Sequence, residues 1–383
     1  MDQGKVTALV LLDLSAAFDT VDHNILFHRL EHWFGISGIA LELFKSYLYN
    51  RTQSVLCNGV HSESAKMNFG VPQGSVLGPL LFTLYTTPLG SLLSDSPVNY
   101  HLYADDTQLF IAFDDKSSSS SLENLSSCLQ KIQSWMYNNK LALNPSKTEF
   151  LLLGTPYHLN KFDNINAVKF DDTLVAQSQS VRNLGVIFDK SMSFSDHINH
   201  VCKISHLQIR DIRRIRDLVP RSALIPLANA LVTSRLDYCN SLYNGIAKTN
   251  VQKLQRIQNS IARAITKTPK YDHIKPVLKN LHWLPVEQRI KFKTSLLVYK
   301  TLQSGQPQYL KSMLNCPKHS HSTRFVNSLL DVPRTNTEIG KRAFSVAGPK
   351  LWNSLPLSVR TANSLSTFKS RLKTHLFLLA FPP

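Results

Sequence analysis

Asn99-Tyr-His-Leu-Tyr-Ala-Asp-Asp-Thr-Gln-Leu-Phe-Ile-Ala112 reads as strand, tight turn, strand, with the adjacent carboxylates Asp105 and Asp106 at the break. Apolar β-formers on both sides of a two-residue interruption are the pattern of a hairpin. Acids at the end of a buried strand add nothing to its stability. Two like charges side by side call for a counter-charge, and a divalent cation with hard oxygen ligands is the usual one. The dipeptide alone is weak: Asp114-Asp115 and Asp171-Asp172 also occur and read as solvated turns. The flanking strands set 105–106 apart.

Two further stretches work outward from this one. Val6-Thr-Ala-Leu-Val-Leu-Leu-Asp13 is an apolar strand that ends in a carboxylate. If it lies beside the hairpin in one sheet, Asp13 joins Asp105 and Asp106. Three carboxylates at one sheet edge can hold two metal ions about 3.5–4 Å apart, the arrangement that clamps the attacking and leaving oxygens in phosphoryl transfer. Phe69-Gly-Val-Pro-Gln-Gly-Ser-Val-Leu-Gly-Pro-Leu-Leu-Phe82 is a Gly/Pro-broken loop running into an apolar helix. Its glycines let backbone approach a ligand closely, and the Gln73 amide can touch a base or sugar.

In this order the three stretches resemble the palm of reverse transcriptases, specifically those of non-LTR (LINE-like) retrotransposons. Leu11-Leu-Asp-Leu-Ser-Ala-Ala-Phe-Asp-Thr-Val-Asp-His23 resembles the first palm motif, Gly70-Val-Pro-Gln-Gly-Ser-Val-Leu-Gly-Pro79 the second and Tyr103-Ala-Asp-Asp106 the third. The resemblance implies an RNA-directed DNA polymerase using two Mg2+ ions, with deoxynucleoside triphosphates, an RNA template and a DNA primer as partners. It implies Asp13, Asp105 and Asp106 as magnesium ligands, Asp13 and Asp105 being the principal ones. Phe18 matches the aromatic that blocks a ribose 2′-hydroxyl, although an aromatic there also reads as core. Gln73 and Gly74 would border the nascent base pair and incoming sugar. Tyr103 would lie under the primer end, with a buried strand tyrosine as the competing reading.

Farther on, Trp135-Met-Tyr-Asn-Asn-Lys-Leu-Ala-Leu-Asn-Pro-Ser-Lys-Thr-Glu-Phe-Leu-Leu-Leu-Gly154 reads as helix, Asn-Pro turn and strand, and resembles the fourth palm motif. Lys147 then stands where the family has a lysine proposed to protonate the leaving pyrophosphate, a task for an ammonium with a locally lowered pKa. Val181-Arg-Asn-Leu-Gly-Val-Ile-Phe-Asp189 resembles the short hairpin that grips the primer.

Charge is divided along the chain. Residues 1–150 hold 9 Lys+Arg against 14 Asp+Glu, and 151–383 hold 34 against 12, net charges of −5 and +22. An acidic site joined to a basic body suits an enzyme that holds metal in one place and a phosphate backbone in another. The densest basic run, Ile209-Arg-Asp-Ile-Arg-Arg-Ile-Arg-Asp-Leu218, falls in a stretch of helical periodicity from about Asp196 to Leu218. Arg210, Arg213, Arg214 and Arg216 cannot share one narrow stripe, and the run reads as a first thumb helix with part of its face on a template–primer duplex; a solvated charged face is the alternative.

The expected architecture is α+β: a right-hand polymerase palm, an antiparallel sheet with helices, over 1–192, then a helical thumb over 193–268 and a mostly helical, basic C-terminal extension over 269–383. Within the palm, a helix pair is expected near His23–Tyr49, a hairpin around Asn58-Gly59, and a flexible loop at the serine run Ser117–Ser121. Leu254, Ile257, Ile261 and Ile265 are spaced for a thumb helix. Trp283, Trp352 and Phe368 read as core, while Lys369, Arg371 and Lys373 face nucleic acid or solvent. Only twelve residues precede Asp13, so the resemblance implies that most of the fingers, which hold the incoming triphosphate, are lacking.

Five cysteines, at 57, 128, 202, 239 and 316, include no Cys-x-x-Cys pair and indicate neither a disulfide framework nor a thiolate zinc site. His197, His200, Cys202 and His206, and separately Cys316-Pro-Lys-His-Ser-His321, are close in sequence without zinc-finger spacing. No signal peptide or long apolar segment is present, so an intracellular protein is expected, with a nuclear setting implied by the family. Two functions follow from the resemblance: a polymerase or part of one, or a catalytically inactive remnant that only binds nucleic acid. Asp105→Asn with Asp106→Asn separates them, since catalysis should vanish while salt-dependent binding persists.

Overall fold

In the computed structural model, which describes residues 2–170, 173–315 and 329–382, the apolar run Val6–Leu12 is an inner strand of a four-stranded antiparallel sheet. Glu149–Leu153 lies on one side of it; Asp106–Phe113 and then Asn99–Tyr103 lie on the other. An almost wholly apolar run suits a strand buried on both faces. Val6, Ala8, Val10 and Leu12 point into a core that also holds Phe82, Tyr85, Leu125, Leu129 and Ile132. Three helices supply that core: His23–His32, Gly78–Ser94 and Ser118–Asn138. Each fully buried Leu or Phe there contributes about 1.5–3 kcal/mol relative to exposure.

The three helices also share a buried cation. The Arg29 guanidinium donates to the Tyr85 carbonyl and to Asn139 Oδ1, and lies 4.5 Å from the Tyr85 ring centroid and 5.3 Å from that of Trp135. Burial holds it below the usual arginine range and pushes the Tyr85 phenol up to about 12, while the phenol donates to the Asn139 carbonyl at 2.6 Å.

Helices His23–His32 and Gly38–Leu48 form the expected pair. The strands Leu56–Cys57 and Val60–His61 are joined through Asn58 and Gly59, both at positive φ, as a two-residue hairpin turn requires. Two local expectations are corrected. The serine run is not a loop: a helix begins at Ser118 and buries Ser121, because Leu125, Cys128, Leu129, Ile132 and Met136 repeat at helical spacing and the core takes that face. The hairpin break at 105–106 falls one residue earlier. Tyr103 pairs with Asp106, so the turn residues are Ala104, at φ 53°, and Asp105.

The chain divides into two units, Gly4–Leu184 and Gly185–Pro383 with Met1–Gln3. The second is built on helices, among them Ser195–Ile215, Lys248–Thr266, Val286–Ser304, Phe344–Ser354 and Leu365–Ala380. Leu254, Ile257, Ile261 and Ile265 enter one core with Ile198, Ile209, Ile212, Trp283 and Phe381; Trp352, Phe368 and Tyr299 enter another, with the Tyr299 and Phe368 rings stacked at 4.1 Å. Ahead of Ser195–Ile215, the Asp189 carboxylate accepts from the backbone N–H of Ser191, Ser193 and Phe194 and from both serine hydroxyls. Burial raises this carboxyl, but these bonds together outweigh it and hold it below the ordinary range. Cys316–His321 and Asp171-Asp172 lie outside the described residues.

Candidate active site

Register assembles the site. Leu11 pairs with Glu149, and Leu12 pairs with Thr107. One step beyond Leu12–Thr107, Asp13 falls opposite Asp106, which itself pairs with Tyr103, while Lys147, closing the 3-10 turn Pro145–Lys147 that precedes Glu149–Leu153, reaches Asp13 from the other side. Side chains in such a row are neighbours across strands about 4.8 Å apart. Lys147 Nζ lies 3.3 Å from Asp13 Oδ2. With Lys147 65 % and Asp13 34 % exposed, water screens this pair, and it adds little to stability. Its weight is positional.

The carboxylates feel one another. Asp106 is raised above the ordinary carboxylate range, first by lost hydration and then by the negative charges of Asp105 and Asp13. Asp13 Oδ2 is shut off from solvent and receives no hydrogen bond of good geometry; the ammonium at 3.3 Å offers charge without a directed donor. Ala104 carries φ 53° at the turn, a conformation costing an L-residue about 1–2 kcal/mol. Backbone strain of this kind concentrates at working sites. Among the described residues no three His, Cys, Asp or Glu side chains converge closely enough to hold a metal as they stand. The donor set nonetheless fits a hard divalent cation: mutually repelling carboxylates, one with an unsatisfied oxygen.

A second group lies against the first palm-like stretch. Gly70 N–H donates to Val21 O and Val71 N–H to Phe18 O, each at 2.8 Å, and His23 Nε2 lies 2.8 Å from Gly70 O, so that nitrogen carries the proton. A Cβ on Gly70 would meet Asp19 Cα, Asp19 O and Phe18 O at 3.0 Å, and its φ is +89°; only glycine brings the two chains this close. Gly74, at φ +76°, has open space around it. Ser75 Oγ donates to Pro72 O and accepts from Gly78 N–H, starting the Gly78–Ser94 helix. The exposed Gln73 donates through Nε2 to Asp19 Oδ1 at 2.8 Å. Phe18 is half-buried and stacks on Phe82 at 4.9 Å. Tyr103 is 60 % exposed, so it is not a buried strand tyrosine.

Sequence reasoning missed Asp19 and His23, which fix Gln73 and Gly70. Both lie within the quoted stretch Leu11–His23, and their polarity beside Phe18 and Val21 was the available signal. Arg210, Arg213 and Arg214 are exposed on Ser195–Ile215, near Asp211 for Arg210 and Arg214. The helix ends at Ile215, before Arg216, whose Nε is buried without a hydrogen bond. His197 is buried, and among the described residues the 197–206 histidines and Cys202 form no metal cluster. No described helix is long and apolar enough to cross a membrane.

Residues 1–188 match the family model for reverse transcriptase (RNA-dependent DNA polymerase). The chain is 26% identical over 309 residues to the probable RNA-directed DNA polymerase from transposon BS of Drosophila melanogaster, covering 77% of this chain and 33% of that protein. It is 25% identical over 292 residues to the RNA-directed DNA polymerase from mobile element jockey of the same species, covering 73% and 31%. It thus spans about a third of the length of the curated relatives it matches. Among solved structures, telomerase from Candida albicans with a fragment of telomeric RNA aligns at 14% identity and TM-score 0.31, over 80% of this chain and 48% of that one. Apo telomerase from Candida tropicalis aligns at 12% and 0.36, over 74% and 47%. Similarity at that level does not identify a fold. By sequence, residues 1–188 are thus similar to the reverse transcriptase (RNA-dependent DNA polymerase) family, and the chain is related over part of its length to the enzymes of non-LTR transposable elements.

Proposed function

We propose that this chain is the palm and thumb portion of an RNA-directed DNA polymerase, extending a DNA primer on an RNA template. The observation that carries the proposal is the row Lys147, Asp13, Asp106 at one end of the sheet, with Asp106 raised by its two acidic neighbours. Asp13, Asp105 and Asp106 would hold two magnesium ions, which when bound supply Lewis-acid stabilisation to the charge developing on the transferred phosphoryl group. Lys147, exposed beside Asp13, carries a proton for the leaving pyrophosphate. Gln73, held by Asp19, and Gly74, with free space over its backbone, border the incoming nucleotide. Phe18 limits the room at the ribose 2′ position, its ring angle fixed by Phe82. Tyr103 offers an exposed ring beside Asp106 for the primer end. Residues 1–192 act as the palm, 193–268 as the thumb and 269–383 as its extension. Arg210, Arg213 and Arg214 reach duplex phosphates, and Arg216 backs them from the helix end.

The test is primer extension on poly(rA)·oligo(dT) with magnesium and dTTP, beside an Asp105→Asn/Asp106→Asn control. Incorporation that disappears in the control is the expected result. No incorporation, with duplex binding retained, would overturn the polymerase reading in favour of a nucleic-acid-binding protein.

A further inference from the structure

One cavity is lined wholly by residues of the second unit. Its volume is about 650 Å³, and it is walled by residues 225–240 on one side and by 281–293 with Lys373 on the other. That size suits one small organic ligand.

Its walls are unusual in three independent ways. Asn229–Thr233 is a π-helical turn between the helices Arg221–Ala228 and Ser234–Asp237. Such turns are rare and gather at functional sites. His282 holds φ 53°, strained for an L-residue. Asn240 is 2 % exposed, and its Oδ1 has no hydrogen-bond partner although its Nδ2 donates to Asp237 Oδ1. A buried amide oxygen left unsatisfied calls for a donor.

The charges decide the ligand. Asp237 is engaged by Arg289 through both carboxylate oxygens and is neutralised there. Lys293 and Lys373 line the cavity and form no ion pair among the described residues. The cavity therefore carries surplus positive charge, an unsatisfied acceptor, and apolar surface from Trp283 and Phe292. A ligand that meets all three has an anionic end, an N–H donor and a flat apolar body.

We propose that this cavity binds one nucleotide: the base against Trp283 and Phe292 with an N–H on Asn240 Oδ1, the phosphate on Lys293 and Lys373. The nucleotide comes from a single strand crossing this face or from the free pool, and the chemistry at the cavity is shared. The site is shared between residues 225–240 and the 269–383 segment and does not depend on polymerase activity.

The experiment uses the full chain, with AMP, inorganic phosphate and a fluorescein-labelled short oligo(rU) as probes, by calorimetry and fluorescence anisotropy. Lys293→Glu/Lys373→Glu is compared with Lys300→Glu/Lys350→Glu, a charge-matched control on exposed positions. The expected result is AMP binding that exceeds phosphate binding, and that falls about tenfold or more in the cavity variant with an unchanged melting temperature but not in the control. AMP that displaces the oligonucleotide identifies a strand as the source; AMP that binds without displacing it identifies the free nucleotide. Phosphate binding as tightly as AMP, equal losses in both variants, or no AMP binding by the parent chain would each overturn the proposal. The Asp105→Asn/Asp106→Asn chain should bind AMP like the parent, so failure at this site and failure of catalysis are read separately.

Discussion

Asp106 is the residue at which stability and chemistry pull apart. Its carboxyl is raised in the folded chain because hydration is lost and Asp105 and Asp13 repel its charge. A group whose folded pKa lies above its unfolded value stabilises the fold below the unfolded pKa, near 3.9 for an aspartate. That contribution is lost as pH rises through the folded value, so at neutral pH the ionised carboxylate works against folding. Asp106→Asn removes the repulsion and keeps the shape. We expect its melting temperature at pH 7 to equal or exceed the parent's, with the difference shrinking toward pH 4. Primer extension should meanwhile fall by roughly 10²–10⁴-fold, the worth of several kcal/mol of transition-state stabilisation. Thermal melts across that pH range together with single-turnover extension check both halves; a lower melting temperature at pH 7 would show that Asp106 serves the fold. Asp189 is the opposite case: its carboxylate is satisfied by five donors and lowered, so its contribution is present above the unfolded pKa and drains away in acid.

At the scale of elements, Gly70 joins two stretches far apart in sequence. Gly70→Ala must find room against backbone at 3.0 Å while holding φ +89°. The expected cost is about 2 kcal/mol or more, from left-handed strain and displacement of the 18–21 backbone. Extension should fall with it as Gln73 loses its register with Asp19. Denaturant unfolding at unchanged m-value measures the cost, and a midpoint equal to the parent's would show that the loop yields freely. Why some elements were legible in sequence follows from the same geometry. Val6–Leu12 announces itself because a strand buried on both faces is apolar throughout, and Asn58-Gly59 because its turn demands two positive φ values. The Ser118 helix start was hidden, since serine favours caps and turns locally while the deciding signal, burial of Leu125, Leu129 and Ile132, lies a turn or more downstream. The hairpin turn was displaced by one residue because Ala104 takes the left-handed turn position and Tyr103 pairs with Asp106, while the long-range register with Val6–Leu12 begins only at Thr107. Long-range pairing also put Lys147 beside Asp13, a contact that spacing along the chain cannot give. The Asp19–Gln73 bond escaped notice for that reason too.

For the whole molecule, segregated charge is the property with a measurable consequence. A segment of net −5 carries the carboxylates, and one of net +22 carries the helix bearing Arg210, Arg213 and Arg214. Each phosphate neutralised by a basic side chain releases counterions, so the affinity for a duplex falls with salt at a slope of about −0.9 per contact for B-DNA. Arg213→Ala/Arg214→Ala, both on the exposed face of that helix, should weaken binding to an RNA–DNA duplex almost equally for unrelated sequences. It should also make the slope shallower by roughly two. Because both residues lie outside the buried stripe formed by Ile198, Val201, Ile209 and Ile212, the melting temperature should hold. A titration of duplex binding against salt for the parent and double variant measures this directly. An unchanged slope would mean that these arginines face solvent only, and that the positive charge acts on nucleic acid through another surface of the chain.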